Sequence, residues 1–196
     1  MTRLGRLQAN WVYGGFLAGL MLLALTPLLL GGWDRAAVLA FLALPVYMLH
    51  QYEEHDDDRF HRFVVENLGH GRDVLPTPAI FVINIGFVWA LMVVVLWLMR
   101  HANPGIGVVA GYVLLVNAVV HVVAAGVLRK YNPGLVTGVV LFVPLGIAIL
   151  ATAPAGVGLH LFGLVLVVAL HAGIVASARR QLGRAPIYHP NPSNGG

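Results

Sequence analysis

Residues 131–178, YNPGLVTGVVLFVPLGIAILATAPAGVGLHLFGLVLVVALHAGIVASA, contain no Asp, Glu, Lys or Arg. A helix needs about 20 apolar residues to cross a bilayer. This stretch therefore holds two spans, divided at Ala153-Pro154-Ala155-Gly156, where turn residues cluster. Working outward, residues 7–33, 74–99 and 101–128 are equally free of those four residue types. With a second helix at 36–56, the spacing predicts six helices, at about 9–30, 36–56, 78–100, 106–129, 135–152 and 157–178. The other breaks fall at Gly31-Gly32, Pro76-Thr77-Pro78, Asn103-Pro104-Gly105 and Asn132-Pro133-Gly134. The first span is not expected to be a signal peptide, because no small-residue cleavage site follows it.

The whole chain agrees with this division. Of 196 residues, 59% are hydrophobic and 10% charged, against about 25% charged in an average soluble domain. That excludes a soluble globular domain and a disordered chain. It also excludes a nucleic-acid binder, despite the formal charge of +4. Lipid-facing barrel strands would alternate polar and apolar residues, and these runs do not. No cysteine is present, so thiolate metal sites and disulfides are excluded. The expected fold is an all-α polytopic membrane bundle of about six transmembrane helices. Residues 1–180 would form a single membrane domain and 181–196 a flexible cytoplasmic tail.

Positive charge sets the expected orientation. With the N-terminus in the cytoplasm, the inner segments hold Arg3, Arg6, Arg59, Arg62, Arg72, Arg129, Lys130, Arg179, Arg180 and Arg184, and the outer ones hold Arg35 and Arg100. Both termini should then be cytoplasmic. Trp33 and Trp97 would mark the outer boundary, and Trp11 and Tyr131 the inner one. Pro27, Pro45 and Pro144 should kink their helices. The pairs Gly15/Gly19, Gly107/Gly111 and Gly134/Gly138 should let helices approach closely.

Ionisable groups inside membrane helices are costly, about 2.5–3.5 kcal/mol on insertion scales, and mark function. The second helix ends His50-Gln51-Tyr52-Glu53-Glu54-His55. His50, Glu53 and Glu54 are spaced i, i+3 and i+4 and share a face, with Tyr47 one turn earlier. An imidazole and a carboxylate at this spacing can hold a divalent metal, leaving one Glu as second ligand, base or hydrogen-bond partner of a ligand. Asn117 and His121 stand at i and i+4 on the fourth helix, Asn84 on the third, and His171 on the sixth. At a rise of about 1.5 Å per residue, His50, Asn84, His121 and His171 all fall roughly 9–12 Å below the inner boundary. His160 shares the face of His171 but lies about 16 Å further out, and a packing role is expected for it. Asp56-Asp57-Asp58 is expected to be a solvated loop.

His50-Gln-Tyr-Glu53-Glu54 resembles the defining motif of the HXXEE family of small bacterial membrane proteins. Asn117-Ala-Val-Val-His121 resembles that family's Asn-x-x-x-His helix. Tyr131-Asn-Pro133-Gly134-Leu-Val-Thr137 resembles its Tyr-x-Pro-Gly-x-x-Thr turn. The resemblance implies a bacterial plasma-membrane protein with a shared metal or acid–base site at His50, Glu53, Glu54 and His121. It names no reaction.

Three functions remain open at this point. One is a membrane metalloenzyme, with zinc or iron held by His50, Glu53, Glu54, His121 and His171, and with Glu53, Glu54, Asn117 and Asn84 in catalytic roles. Nitrogen and oxygen ligands without sulfur suit those metals, and hydrolysis stands slightly ahead of oxidation. The second is a metal-free acid–base isomerase or cyclase, with Tyr47 and Trp89 flanking a cationic intermediate. The third is a proton or metal-ion pathway through His160, His171 and Glu54. A site between apolar helices on the cytoplasmic side implies a lipid or another lipid-soluble small molecule as partner. Arg129 and Lys130 serve as topology anchors or hold an anionic head group.

Overall fold

The computed structural model describes residues 2–189. It is all-helical, and among the described residues no strand forms beyond one isolated bridge between Arg72 and Ile187. The helices are α1 (Arg3–Leu29), α2 (Arg35–His55), α3 (Arg59–Asn67), α4 (Thr77–His101), α5 (Pro104–Leu128), α6 (Leu135–Thr152) and α7 (Val157–Gln181). Five of them, α1 and α4 to α7, are long and apolar enough to cross a membrane. The sixth long helix, α2, falls short of that hydropathy because its last six residues are His50 to His55. It is instead the core of the bundle, with ten of its side chains buried. The chain is a membrane protein by these helices.

Local chemistry sets the helix ends. Asp34 starts α2 by accepting from the Ala37 N–H at 2.9 Å, and Thr2 does the same for α1 through Gly5 at 3.0 Å. Arg129, with φ 52°, closes α5 in the left-handed region. Two of the glycine pairs serve close helix approach as expected. Gly19 lies against Met48 and Pro45 of α2, and Gly111 against Leu150 and Ile149 of α6. The central core joins α2, α4, α5 and α6 through Ala43, Tyr47, Met92, Leu114, Phe142 and Ile149.

The structure adds features that the charge-free runs did not show. Both α4 and α6 contain a π-helical stretch, Val82–Trp89 and Gly138–Phe142. In α6 the stretch sits just ahead of Pro144, whose missing N–H removes one i→i−4 bond. Asp56–Asp58 is not a loose loop. It is a single 3₁₀ turn, with Asp57 and Asp58 left-handed, that leads directly into the amphipathic α3. Nor is the whole segment after α7 free. The Asp73 N–H donates to Pro186 O at 3.0 Å and the Tyr188 N–H to Gly71 O at 2.9 Å, pinning residues 186–188 to the loop after α3. The rest of the expected tail, 190–196, lies outside the described residues. Trp11 is buried against His55, Phe81 and Trp89. Trp97 is exposed.

Candidate metal centre

The C-terminal end of α2 carries the site. Its last turn presents His50 and Glu54 on one side, one helical turn apart. From α5, His121 meets them. The Nε2 of His50 lies 3.6 Å from Glu54 Oε2, and the Nε2 of His121 lies 3.6 Å from Glu54 Oε1. One ligand atom from each residue falls within 4.8 Å of the other two, and all three residues are buried.

The turn between α5 and α6 determines how the two imidazoles are presented. Asn132 Nδ2 donates to the carbonyl of His121 at 2.9 Å. Its Oδ1 therefore faces His121 Nδ1 at 2.6 Å as an acceptor, and Nδ1 must carry the ring hydrogen. Thr137 imposes the same state on His50. The Thr137 hydroxyl donates to Glu53 Oε2, so its oxygen accepts from His50 Nδ1 at 2.8 Å. Both rings thus turn an unprotonated Nε2 toward Glu54. His50 Nε2 is buried without any hydrogen-bond partner, a state that costs about 1–3 kcal/mol.

Glu53 plays a different part from its neighbour. Its carboxylate accepts from the Val136 N–H at 3.1 Å, the Thr137 N–H at 2.7 Å, the Thr137 hydroxyl and the Tyr131 hydroxyl at 2.7 Å. The two backbone donors are free N–H groups at the start of α6, where a negative charge is favoured. Glu53 therefore joins α2 to the N-terminus of α6 and orients His50 through Thr137. It offers no ligand atom to the His50–Glu54–His121 group. Burial, followed by the Glu53 carboxylate, pushes the Tyr131 phenol up to about 12, so it stays a donor across the physiological range.

Gly134 closes the site. With φ +93°, it lies over both rings, and a β-carbon there would come within 2.7 Å of His121 Cε1 and 2.8 Å of His50 Cε1. The expectation of helix–helix contact for the 134/138 pair therefore fits Gly138 alone, which faces Ala118. Phe142, delivered by the π-helical stretch of α6, covers the other side of His50 with ring centroids 4.2 Å apart.

The remaining expected site residues separate. His171 is half-buried and bonds back to Val167 O of its own helix at 2.9 Å, outside the cluster. Its depth matches that of His50, but depth along one helix does not fix rotation about it. Asn84 stands beside the cluster in a second polar chain. Trp89 donates to Gln51, Gln51 donates to Asn84, and Asn84 Nδ2 lies 3.4 Å from His55 Nε2. Trp89 is thus tied to Gln51, on the side of Trp11. Asn117 donates to Tyr47 at 3.1 Å, with its Oδ1 buried and unpartnered. His160 pairs with Tyr112 at 3.1 Å, away from the group. Three residues with no assigned site role in the sequence do take part. Asn132 and Thr137 arm the imidazoles, and His55 approaches Glu54 Oε2 at 3.2 Å. The available signal was their nearness: two short polar side chains in the turn that follows His121, and an imidazole next to Glu54.

A family model described as "Protein of unknown function with HXXEE motif" matches residues 41–149. This span runs from α2 into α6 and contains every residue of the cluster and its supporting turn. No curated protein and no solved structure matches the chain.

Proposed function

The chain belongs to the HXXEE-motif family, and on that premise we propose that it is an integral membrane metal-dependent enzyme acting on a lipid or another hydrophobic small molecule. One observation carries this. Two imidazole lone pairs and the Glu54 carboxyl group converge in a buried space, and neither imidazole brings a proton to share. Three acceptors facing each other repel unless a cation sits among them. Tetrahedral ligands about 2.1 Å from a metal stand about 3.4 Å apart, and the two imidazole–carboxylate separations are 3.6 Å. Hydrogen-bonding the far nitrogen of a ligating histidine is also the usual way to fix its tautomer.

Two His and one carboxylate suit zinc with an open position for water, and equally the facial triad of iron(II) oxygenases. Bound there, the ion would supply Lewis acidity or redox chemistry. The residues of this chain would do the rest. Asn132 and Thr137 hold the imidazoles as neutral ligands, Glu53 keeps α6 in place, and Phe142 and Gly134 exclude water. His55, 3.2 Å from Glu54 Oε2, would steady that ligand carboxylate. Hydrolysis is favoured over oxidation at a metal pair, since the cluster has no second carboxylate to bridge two ions. The apolar helices around the site set the substrate class. The excess of Arg and Lys at the site's end supports a cytoplasmic position for that end.

Elemental analysis of the protein purified without chelator tests this proposal. Near one equivalent of zinc or iron is expected, lost in His50→Ala, His121→Ala and Glu54→Gln. A folded, metal-free wild type that binds neither ion on titration would refute it and favour acid–base chemistry by the same groups.

A further inference from the structure

His61, on α3, is far from the metal centre in role and in surroundings. It is 4% exposed. Its Nδ1 lies 3.0 Å from Asp58 Oδ2 and its Nε2 lies 2.8 Å from Asp73 Oδ1. A neutral imidazole has one N–H and one lone pair, so one of these contacts would set a lone pair against an anion. Only the imidazolium donates to both. The ring also meets the Tyr188 ring edge-on, with centroids 5.1 Å apart.

These partners come from three separate pieces of chain. Asp58 belongs to the turn before α3, Asp73 to the loop after it, and Tyr188 to the segment after α7. The same loop holds that segment by the Asp73 and Tyr188 N–H bonds and by Arg72 Nη1 to Ala185 O at 2.9 Å. We propose that His61 is a proton-operated latch, which as a cation fastens the 185–188 segment to the α3 cap and as a neutral ring lets it go.

The charged groups around it favour the cation. Asp58 and Asp73 face it directly. Arg62 is occupied by Asp57 at 3.0 Å, and Arg59 by Asp56 at 2.9 Å. Arg72 is turned to Ala185 O, and Tyr188 is an ordinary neutral phenol here, its pKa raised by burial. His70 is exposed in the same loop. Burial works against charge on His61, but the bonds to Asp58 and Asp73 outweigh it and the pKa is raised. The sign follows: with its pKa raised in the closed state, the latch is fully set below the ordinary imidazole value of about 6.5 and weakens as pH climbs through the raised value. Across that window opening increases by up to about tenfold per pH unit.

The chain has no cysteine, so Glu66→Cys with Ile187→Cys, both exposed positions, takes two spin labels on the full-length protein in nanodiscs. Distance distributions between pH 6 and 9 should show a single short separation at pH 6 and a growing long one above it. In His61→Gln the populations should not vary with pH, and in Asp73→Asn the transition should move to lower pH. A flat wild-type profile, or an unchanged transition in His61→Gln, overturns the latch. Should His61→Gln fail to fold, the ¹⁵N shifts of His61 in the wild type decide: cationic at pH 7 supports the latch, neutral overturns it. Metal content enters neither measurement.

Discussion

At the scale of residues, Gly134 is the position least able to change. A β-carbon in the left-handed region costs about 1–2 kcal/mol, and here it would also press on His121 and His50 at under 3 Å. Gly134→Ala should therefore lower thermal stability and displace the imidazoles, seen as a fall in Tm together with loss of bound zinc or iron. Thr137 makes a finer test. Thr137→Val keeps the shape but cannot accept from His50 Nδ1 or donate to Glu53. Metal affinity should drop about 10–100-fold, with recovery in Thr137→Ser, as measured by competition with a chromogenic chelator. His50, Glu54 and His121 were legible from helical spacing alone, because i, i+4 on one helix and a matched depth on another bring side chains together. Glu53 was legible as important but not in its role. Adjacent residues on a helix point about 100° apart, so only one of two neighbouring glutamates can face His121.

At the scale of elements, the connection between α5 and α6 matters more than either helix. Tyr131, Asn132, Gly134 and Thr137 each touch the site or its clamp, and Glu53 caps α6 from the outside. Glu53→Gln keeps the size but turns an amide NH2 toward one pair of its donors and removes the charge at the α6 N-terminus, the charge being worth about 0.3–1 kcal/mol when exposed and up to about 2 when partly buried. A modest fall in Tm with retained but weaker metal binding is expected, whereas Glu54→Gln should abolish binding and lower Tm to that of the chelator-stripped wild type. A Glu53→Gln protein with no metal at all would make Glu53 a ligand, against its four hydrogen bonds. Sequence patterns located the turn through Asn132-Pro133-Gly134 but could not show where its polar groups point. The π-helical stretch of α6 was hidden for a related reason: it lies where Pro144 and its neighbours accommodate a missing N–H, which hydrophobic period does not reveal. The α3 cap did carry a signal, Phe60, Phe63 and Val64 alternating with Arg59, Arg62 and Glu66 at helical spacing, but the three aspartates before it suggested solvent.

At the scale of the whole molecule, hydrophobic run length alone placed the long helices, because a bilayer demands a minimum span and tolerates few charges within it. The orientation expected from the Arg and Lys distribution is open to direct test. Single cysteines at Thr2 and Glu66 should react with a membrane-impermeant maleimide only in inverted vesicles, and one at Asn103 only in right-side-out cells or spheroplasts. Metal should also hold the bundle together. At 100 times its dissociation constant a bound ion adds about 2.7 kcal/mol, so stripping with a chelator should lower Tm and re-addition should restore it. The turn from 131 to 137 has a further consequence. The segment that tunes the two rings is also the roof over them, and His50 has no exposed surface at all. On the proposed function, a molecule entering from that side would lift the roof and slacken the bonds that keep the rings ready. Entry and readiness would then belong to different moments of one working cycle, with a motion of a few residues between them.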